Sequence, residues 1–140
     1  MRKVFVTVVG TQTDAGGEEN RIEFMTEGSR RDRDGTSYIT YRESAITGME
    51  GTTTLLKLYP DRLIIVRVGA VDLKQEFFPG LKSHGTYKTP FGSMQIAVST
   101  RRLDIESAGD RDTVTVGYDL EVDGRWQSYN TLVVEIREEV

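Results

Sequence analysis

Apolar and polar residues alternate with period two along almost the whole chain, and turn residues break the alternation at near-regular intervals. No long segment carries a helical period, so the pattern predicts an all-β protein. The stretch that organises it runs from Thr52 to Gly69, where two β-branched, apolar runs flank Pro60-Asp61, a pair whose preferred dihedrals suit a tight turn. With Pro60-Asp61 at the tip, Leu58 faces Leu63, Leu56 faces Ile65 and Thr54 faces Arg67, because antiparallel partners keep a constant index sum. That face is aliphatic until it reaches Arg67. The opposite face, with Leu55, Lys57, Tyr59, Arg62, Ile64 and Val66, is mixed and suited to partial exposure.

The same alternation predicts the other strands. The first covers about Arg2 to Gly10, with Val4, Val6 and Val8 on one side, and Thr11 to Asn20 is expected to be a loop. Arg21 to Ser29 sets Ile22, Phe24 and Thr26 against Glu23, Met25 and Glu27, and Asp34-Gly35 closes a turn. Thr36 to Ala45 puts Ile39, Tyr41, Glu43 and Ala45 on one face, so Glu43 shares the more apolar side. Beyond the hairpin, Val71 to Phe78 alternates Val71, Leu73, Gln75 and Phe77, and Pro79-Gly80 ends it. A short strand at Thr86 to Thr89 precedes one from Ser93 to Leu103 with Met94, Ile96, Val98 and Thr100 inward, followed by an acidic loop from Asp104 to Asp112.

In the last pair, Val114, Val116, Tyr118, Leu120 and Val122 form a one-sided strand. A two-residue Asp123-Gly124 turn would leave Leu132, Val134 and Ile136 on the wrong face, whereas a three-residue loop through Arg125 sets Val116 against Leu132 and Val114 against Val134. That register turns Asn130 inward beside Tyr118. About 8–10 strands with short sequential connections favour a single up-and-down antiparallel barrel over residues 1–140, since closure removes exposed edges; a two-sheet sandwich is the alternative. The expected core is Leu56, Leu58, Leu63, Ile65, Met94, Ile96, Val98, Val114, Val116, Leu120, Leu132 and Val134.

Composition narrows the function classes. At 140 residues the chain suits one domain with a proper core, and it has no cysteine for a disulfide or a thiolate metal site. Met1 to Gly10 is read as a first strand rather than a secretory signal, because its apolar run is short and interrupted by Thr7. No stretch reaches the length of a membrane-spanning helix, and a soluble, cytoplasmic protein is expected. The net charge of -4 argues against nucleic acid as a partner. Arg30, Arg31 and Arg33, interleaved with Asp32 and Asp34, read as a solvated turn.

Tyr41-Arg42-Glu43, the hairpin ending Arg67-Val68-Gly69, Phe77-Phe78-Pro79-Gly80 and Tyr87-Lys88-Thr89-Pro90-Phe91-Gly92, followed by the Tyr118-Asp119-Leu120 and Asn130 strands, resemble the YwiB-type family of small bacterial proteins over nearly the whole chain. The resemblance implies a calycin-like, lipocalin-type β-barrel of unassigned function, and it carries over no catalytic residue.

The candidate site is Glu43 and Arg67 projecting into one interior, with Tyr87, Tyr118 and Asn130, and also Thr54, as neighbours. An unpaired buried charge is costly, so the two should pair, and guanidinium and carboxylate can do so through two parallel hydrogen bonds. As a ligand site this is a polar floor for a small anionic or amphipathic molecule; as structure it is an ion pair that fixes register or plugs the barrel. No cofactor, metal site or catalytic residue is expected. His84 lacks a second ligand, there is no nucleophile elbow, and Asp104 to Gly109 departs from a calcium loop at Ala108 and Thr115. An enzyme using Glu43 as acid or base needs a cavity reaching it and is the disfavoured reading. Phe77, Phe78, Pro79 and Phe91 are expected to plug one mouth of the barrel and Trp126 the other. The alternative to a small-molecule binder is a packed barrel that acts through exposed Tyr38 and Tyr59 or as a homodimer, with no membrane partner.

Overall fold

The computed structural model describes residues 1–139. Ten strands form one antiparallel sheet: β1 (Arg2–Asp14), β2 (Glu19–Arg33), β3 (Thr36–Arg42), β4 (Thr52–Leu58), β5 (Leu63–Gly69), β6 (Leu73–Phe77), β7 (Lys82–Thr89), β8 (Gly92–Ala108), β9 (Arg111–Val122) and β10 (Arg125–Glu138). Their spatial order is β6-β5-β4-β3-β2-β1-β10-β9-β8-β7, so β1 pairs with β10 and the sheet curls until β6 meets β7. The result is a nearly closed barrel, with a 3-10 turn at Ala45–Thr47 between β3 and β4. Among the described residues no helix is long and apolar enough to cross a membrane.

The central hairpin has the register its turn dictates: Leu58 opposite Leu63, Leu56 opposite Ile65, Thr54 opposite Arg67. The β9–β10 register is also the expected one, with Val116 opposite Leu132, Val114 opposite Val134 and Asn130 opposite Tyr118, but the device differs. Asp123 and Gly124, both at positive φ, make a two-residue turn that pairs Val122 with Arg125, and a bulge between Trp126 and Ser128 then shifts the register. The unpaired residue sits inside β10 rather than in the loop.

Three expected loops are shorter than the alternation alone suggested. Asp14 Oδ1 accepts from the amides of Gly16 and Glu18, each at 2.9 Å, and this side-chain turn lets β1 and β2 pair as far as Thr13 and Glu19. The acidic segment from Asp104 is mostly strand, because β8 runs on to Ala108 and the chain reverses at Gly109-Asp110, with Ala108 opposite Arg111. Likewise β7 begins at Lys82 rather than Thr86, paired with Ser99.

The core is the inner faces of all these strands: Val4, Val6, Val8, Ile39, Leu56, Leu58, Leu63, Ile65, Phe77, Val98, Val114, Val116, Val134 and Ile136 are buried in one cluster. Ile96 is buried as expected, and Leu120 and Leu132 pack partly against the cluster. Met94 is exposed, since it lies near the open end of β8, and Ile22 is exposed near the tip of the β1–β2 hairpin, where β2 extends past β3. The aromatic plug does not form. Phe77 is fully buried against Tyr118 with ring centroids 4.9 Å apart, whereas Phe91 is 99% exposed at a hairpin tip and Phe78 is exposed. Trp126 lies on the outer face and donates to Asp119 Oδ1 at 3.0 Å. Tyr38 and Tyr59 are half-buried, with the guanidinium of Arg31 over one ring and that of Arg62 over the other.

One end of the barrel is closed by charge. Arg30, opposite Ile39 and therefore on the inner face, contacts Asp112 of β9 at 2.5 Å, and these side chains are only 12% and 13% exposed. Arg30 also donates to Asp32 at 3.1 Å and to Ser37 at 2.9 Å; Arg2 donates to Asp32 at 2.7 Å and to Glu138 at 2.9 Å. Two members of the run expected to be a solvated turn, Arg30 and Asp32, thus belong to an ion network joining β1, β2, β3, β9 and β10, while Arg31, Arg33 and Asp34 are solvent-exposed as expected. Arg30 and Asp32 share the inner face because the strand period puts residues two apart on the same side.

Burial works against ionisation of Asp32, but hydrogen bonds from Ser37, Arg2 and Arg30 outweigh it and hold the carboxyl well below the usual carboxylate range. A lowered folded-state pKa stabilises the fold above the ordinary value of about 3.9, and that contribution is lost as the pH falls toward and through the lowered value. Urea unfolding measured from pH 6 downward should therefore show stability falling through the acid range, with a flatter profile in Asp32→Asn; equal slopes would contradict the network. Arg30→Met should lower the unfolding free energy by about 3 kcal/mol, because Asp112 is left buried without its partner.

Candidate functional site

The polar cluster inside the barrel follows from the backbone. The amide of Glu43 donates to Thr52 O at 2.9 Å, which carries the β3–β4 pairing one position past Arg42 and keeps Glu43 on the inner side. Ser44 then caps the 3-10 turn by accepting from the amide of Ile46 at 3.3 Å, and Gly48 in the left-handed region ends it. On the neighbouring strands Tyr41 lies opposite Thr54, Thr54 opposite Arg67 and Arg67 opposite Leu73, so one row of inner positions crosses β3 to β6.

Along this row the charges meet. The Thr54 hydroxyl donates a short hydrogen bond to Glu43 Oε2, and Arg67 Nε lies 3.8 Å from the same oxygen. The Glu43 side chain is 1% exposed and that of Arg67 16%. Arg67 Nη1 donates to Gln75 Oε1 at 3.5 Å. Instead of the two parallel hydrogen bonds expected, a single oxygen faces the guanidinium, and both Glu43 Oε1 and Arg67 Nε are buried without a hydrogen-bond partner. Burial raises the Tyr41 hydroxyl pKa, the Glu43 charge raises it further, and Arg67 opposes both. Tyr41 is therefore a neutral donor beside the carboxylate.

Tyr118 and Asn130 form a second polar group. They face each other across β9 and β10 and line a cleft of about 130 Å³ with Gly10, Gln12, Asn20 and Ile22. Asn130 Nδ2 donates to Ser128 Oγ at 3.0 Å. Burial raises the Tyr118 hydroxyl pKa and the positive charge of Arg67 opposes it. The Thr100 hydroxyl, on the inner position opposite Tyr118, is buried without a partner. Tyr87 is half-buried opposite Met94 and makes no hydrogen bond to the cluster among the described residues. His84 is exposed on β7.

The structure thus joins Glu43, Arg67 and Thr54, sets Tyr118 and Asn130 opposite each other in a separate cleft, and leaves Tyr87 apart. It adds Tyr41, Gln75, Ser128 and Thr100. Period two had already put Tyr41 on the face of Glu43 and Gln75 on the face of Leu73, which was the available signal. Among the described residues no group of three or more histidine, aspartate or glutamate side chains is arranged to hold a metal ion.

A family model described as "Domain of unknown function (DUF1934)" matches residues 6–134. "Uncharacterized beta-barrel protein YwiB" of Bacillus subtilis (strain 168) is 24% identical over 118 residues, which are 84% of this chain and 82% of that protein. The crystal structure of the ywiB protein from Bacillus subtilis has the same fold, with a TM-score of 0.87 at 21% identity over 99% of this chain and 93% of that one.

Replacing Arg67 with Met should cost about 3–5 kcal/mol of stability in urea unfolding, because Glu43 would remain buried without a counter-charge. An unchanged midpoint would contradict the pair.

Proposed function

The chain belongs to the DUF1934 family of YwiB-like β-barrel proteins, and from that premise we propose that its barrel binds a small anionic molecule without transforming it. The observation that carries this is the inward Arg67 guanidinium, which is held loosely at 3.8 Å and 3.5 Å by Glu43 and Gln75 and has an unpartnered Nε. A guanidinium is built to take a planar anion through two hydrogen bonds, and its present partners use little of that capacity. Glu43 fixes the guanidinium from one side, and Tyr118 and Asn130 line a separate small cleft. At about 130 Å³ it suits a compact carboxylate or similar ion rather than a long acyl chain.

That small volume also favours a second reading, because typical ligand pockets occupy about 300–1,000 Å³. A barrel this well filled can serve as a scaffold whose outer face meets a protein or a second copy of the chain.

Native mass spectrometry of the gently purified protein, compared with its denatured mass, separates the two. Binding predicts a small mass adduct that is lost in Arg67→Met, measured under conditions where that variant remains folded. A bare chain mass, or an adduct unaffected by the substitution, would overturn it in favour of the scaffold.

A further inference from the structure

The barrel wall has one incomplete joint. β6 and β7 meet through a single bridge, in which the amides of Asp72 and Lys88 each donate to the other's carbonyl at 3.0 and 2.9 Å. At the hairpin tip, Thr100 of β8 receives the Gly80 amide and donates to Leu81 O, both at 3.1 Å. Between these two points no ladder joins Leu73–Phe77 to Lys82–Tyr87 among the described residues. A groove of about 440 Å³ runs along the joint, lined by Leu73, Lys74, Glu76, Ser83, His84 and Thr86. The strands touch without bonding: a Cβ added to Gly85 would lie 2.9 Å from the Lys74 carbonyl oxygen.

The position of this joint gives it meaning. Continuing the Asp72–Lys88 register brings Gln75 opposite Gly85, a residue with no side chain to cover it. Gln75 is the inner residue that touches Arg67, so the weakest stretch of wall stands over the guanidinium. The barrel ends offer less. One is tied by the network around Arg30, and the cleft at Asn130 is backed by the Tyr118 ring packed on Phe77. β6 is anchored to its own side, since the amide of Val71 donates to Thr52 Oγ1 at 3.2 Å and that of Gly69 to Asp72 Oδ1 at 3.1 Å.

We propose that this joint is a lateral gate, in which β7 and the start of β8 swing from β6 about the pinned tip and admit a small anion to Arg67. Across the joint, opening breaks only the Asp72–Lys88 bridge, and moving the start of β8 strains the two hydrogen bonds between Gln95 and Asp123, whereas parting any other neighbouring strands breaks a continuous ladder; local opening follows the path with fewest bonds lost. The part played by Arg67 rests on the binding function proposed above. The opening itself does not.

The chain contains no cysteine, so a single introduced thiol reports alone. Gln75→Cys and, as a second reporter, Leu73→Cys place a buried thiol behind the joint; Ile65→Cys places one in the same row as Gln75 but on β5, which is laddered on both sides. Labelling of the native proteins with a maleimide on a bulky polymer, in the absence of any ligand, should modify the β6 reporters at least tenfold faster than Ile65→Cys. In the unaltered chain, the amides of Asp72 and Lys88 should exchange hydrogen at least tenfold faster than the slowest amides of the β4–β5 ladder. Equal labelling rates at β6 and Ile65, or bridge amides as protected as that ladder, would overturn the gate. Because no ligand is present in either measurement, a failure here is distinct from a missing adduct in the mass spectrum, which counts against binding alone.

Discussion

A guanidinium on the inner face of a nearly closed β-wall is largely shielded from bulk water, and Arg67, its side chain 16% exposed, is in that position because the Pro60-Asp61 turn fixes its partner as Thr54. Once Arg67 points inward, an isolated charge there would be prohibitive, so a counter-charge must be supplied from the same interior. Glu43 supplies it from two strands away, at the point where β3 ends and one more backbone hydrogen bond keeps the chain in register. The match is incomplete. Hydrogen bonding to Thr54 takes up the oxygen that faces Arg67, and the unpartnered atoms of both charged groups remain buried. Such a pair adds little net stability over an apolar core, yet its separation would be expensive.

The rest of the barrel is organised around that exception. An aliphatic belt from Val4, Val6, Ile39, Leu56, Leu63, Val98, Val114 and Val116 surrounds the interior and provides the main favourable free energy of folding. The Arg30 network ties together strands distant in sequence at one end, linking the first and last strands to β9. What the network does with charges the β6–β7 joint does not do with backbone bonds, which leaves one flank of the wall weaker than the others.

Much of this was legible in the sequence. The register of the central hairpin follows from one turn and the index sum, and it alone predicts an arginine turned inward. The β9–β10 pairing was legible because only one register buries Leu132, Val134 and Ile136, although alternation could not say whether the extra residue lay in the turn or in the bulge before Ser128. What was not legible depends on contacts between distant strands. Arg30 and Asp32 look like a solvated turn because their partners, Asp112 for the arginine and Arg2 for the aspartate, are remote in the chain. Phe77 and Phe91 look alike by composition, but strand parity buries one while a tip position exposes the other. The loop from Thr11 to Asn20 was overstated because the Asp14 side chain closes a tight turn by itself.

The claim on which the rest stands is that Glu43 and Arg67 interact inside the barrel, and a double-mutant cycle with Glu43→Gln, Arg67→Met and the double variant in urea unfolding tests it most directly. Residues sharing a buried charge pair should be non-additive by about 1.5–3 kcal/mol, with the double variant far more stable than the sum of the single losses implies. Losses that add to within about 0.5 kcal/mol would mean the two charges do not meet, and would contradict both the inward register and the anchor it positions.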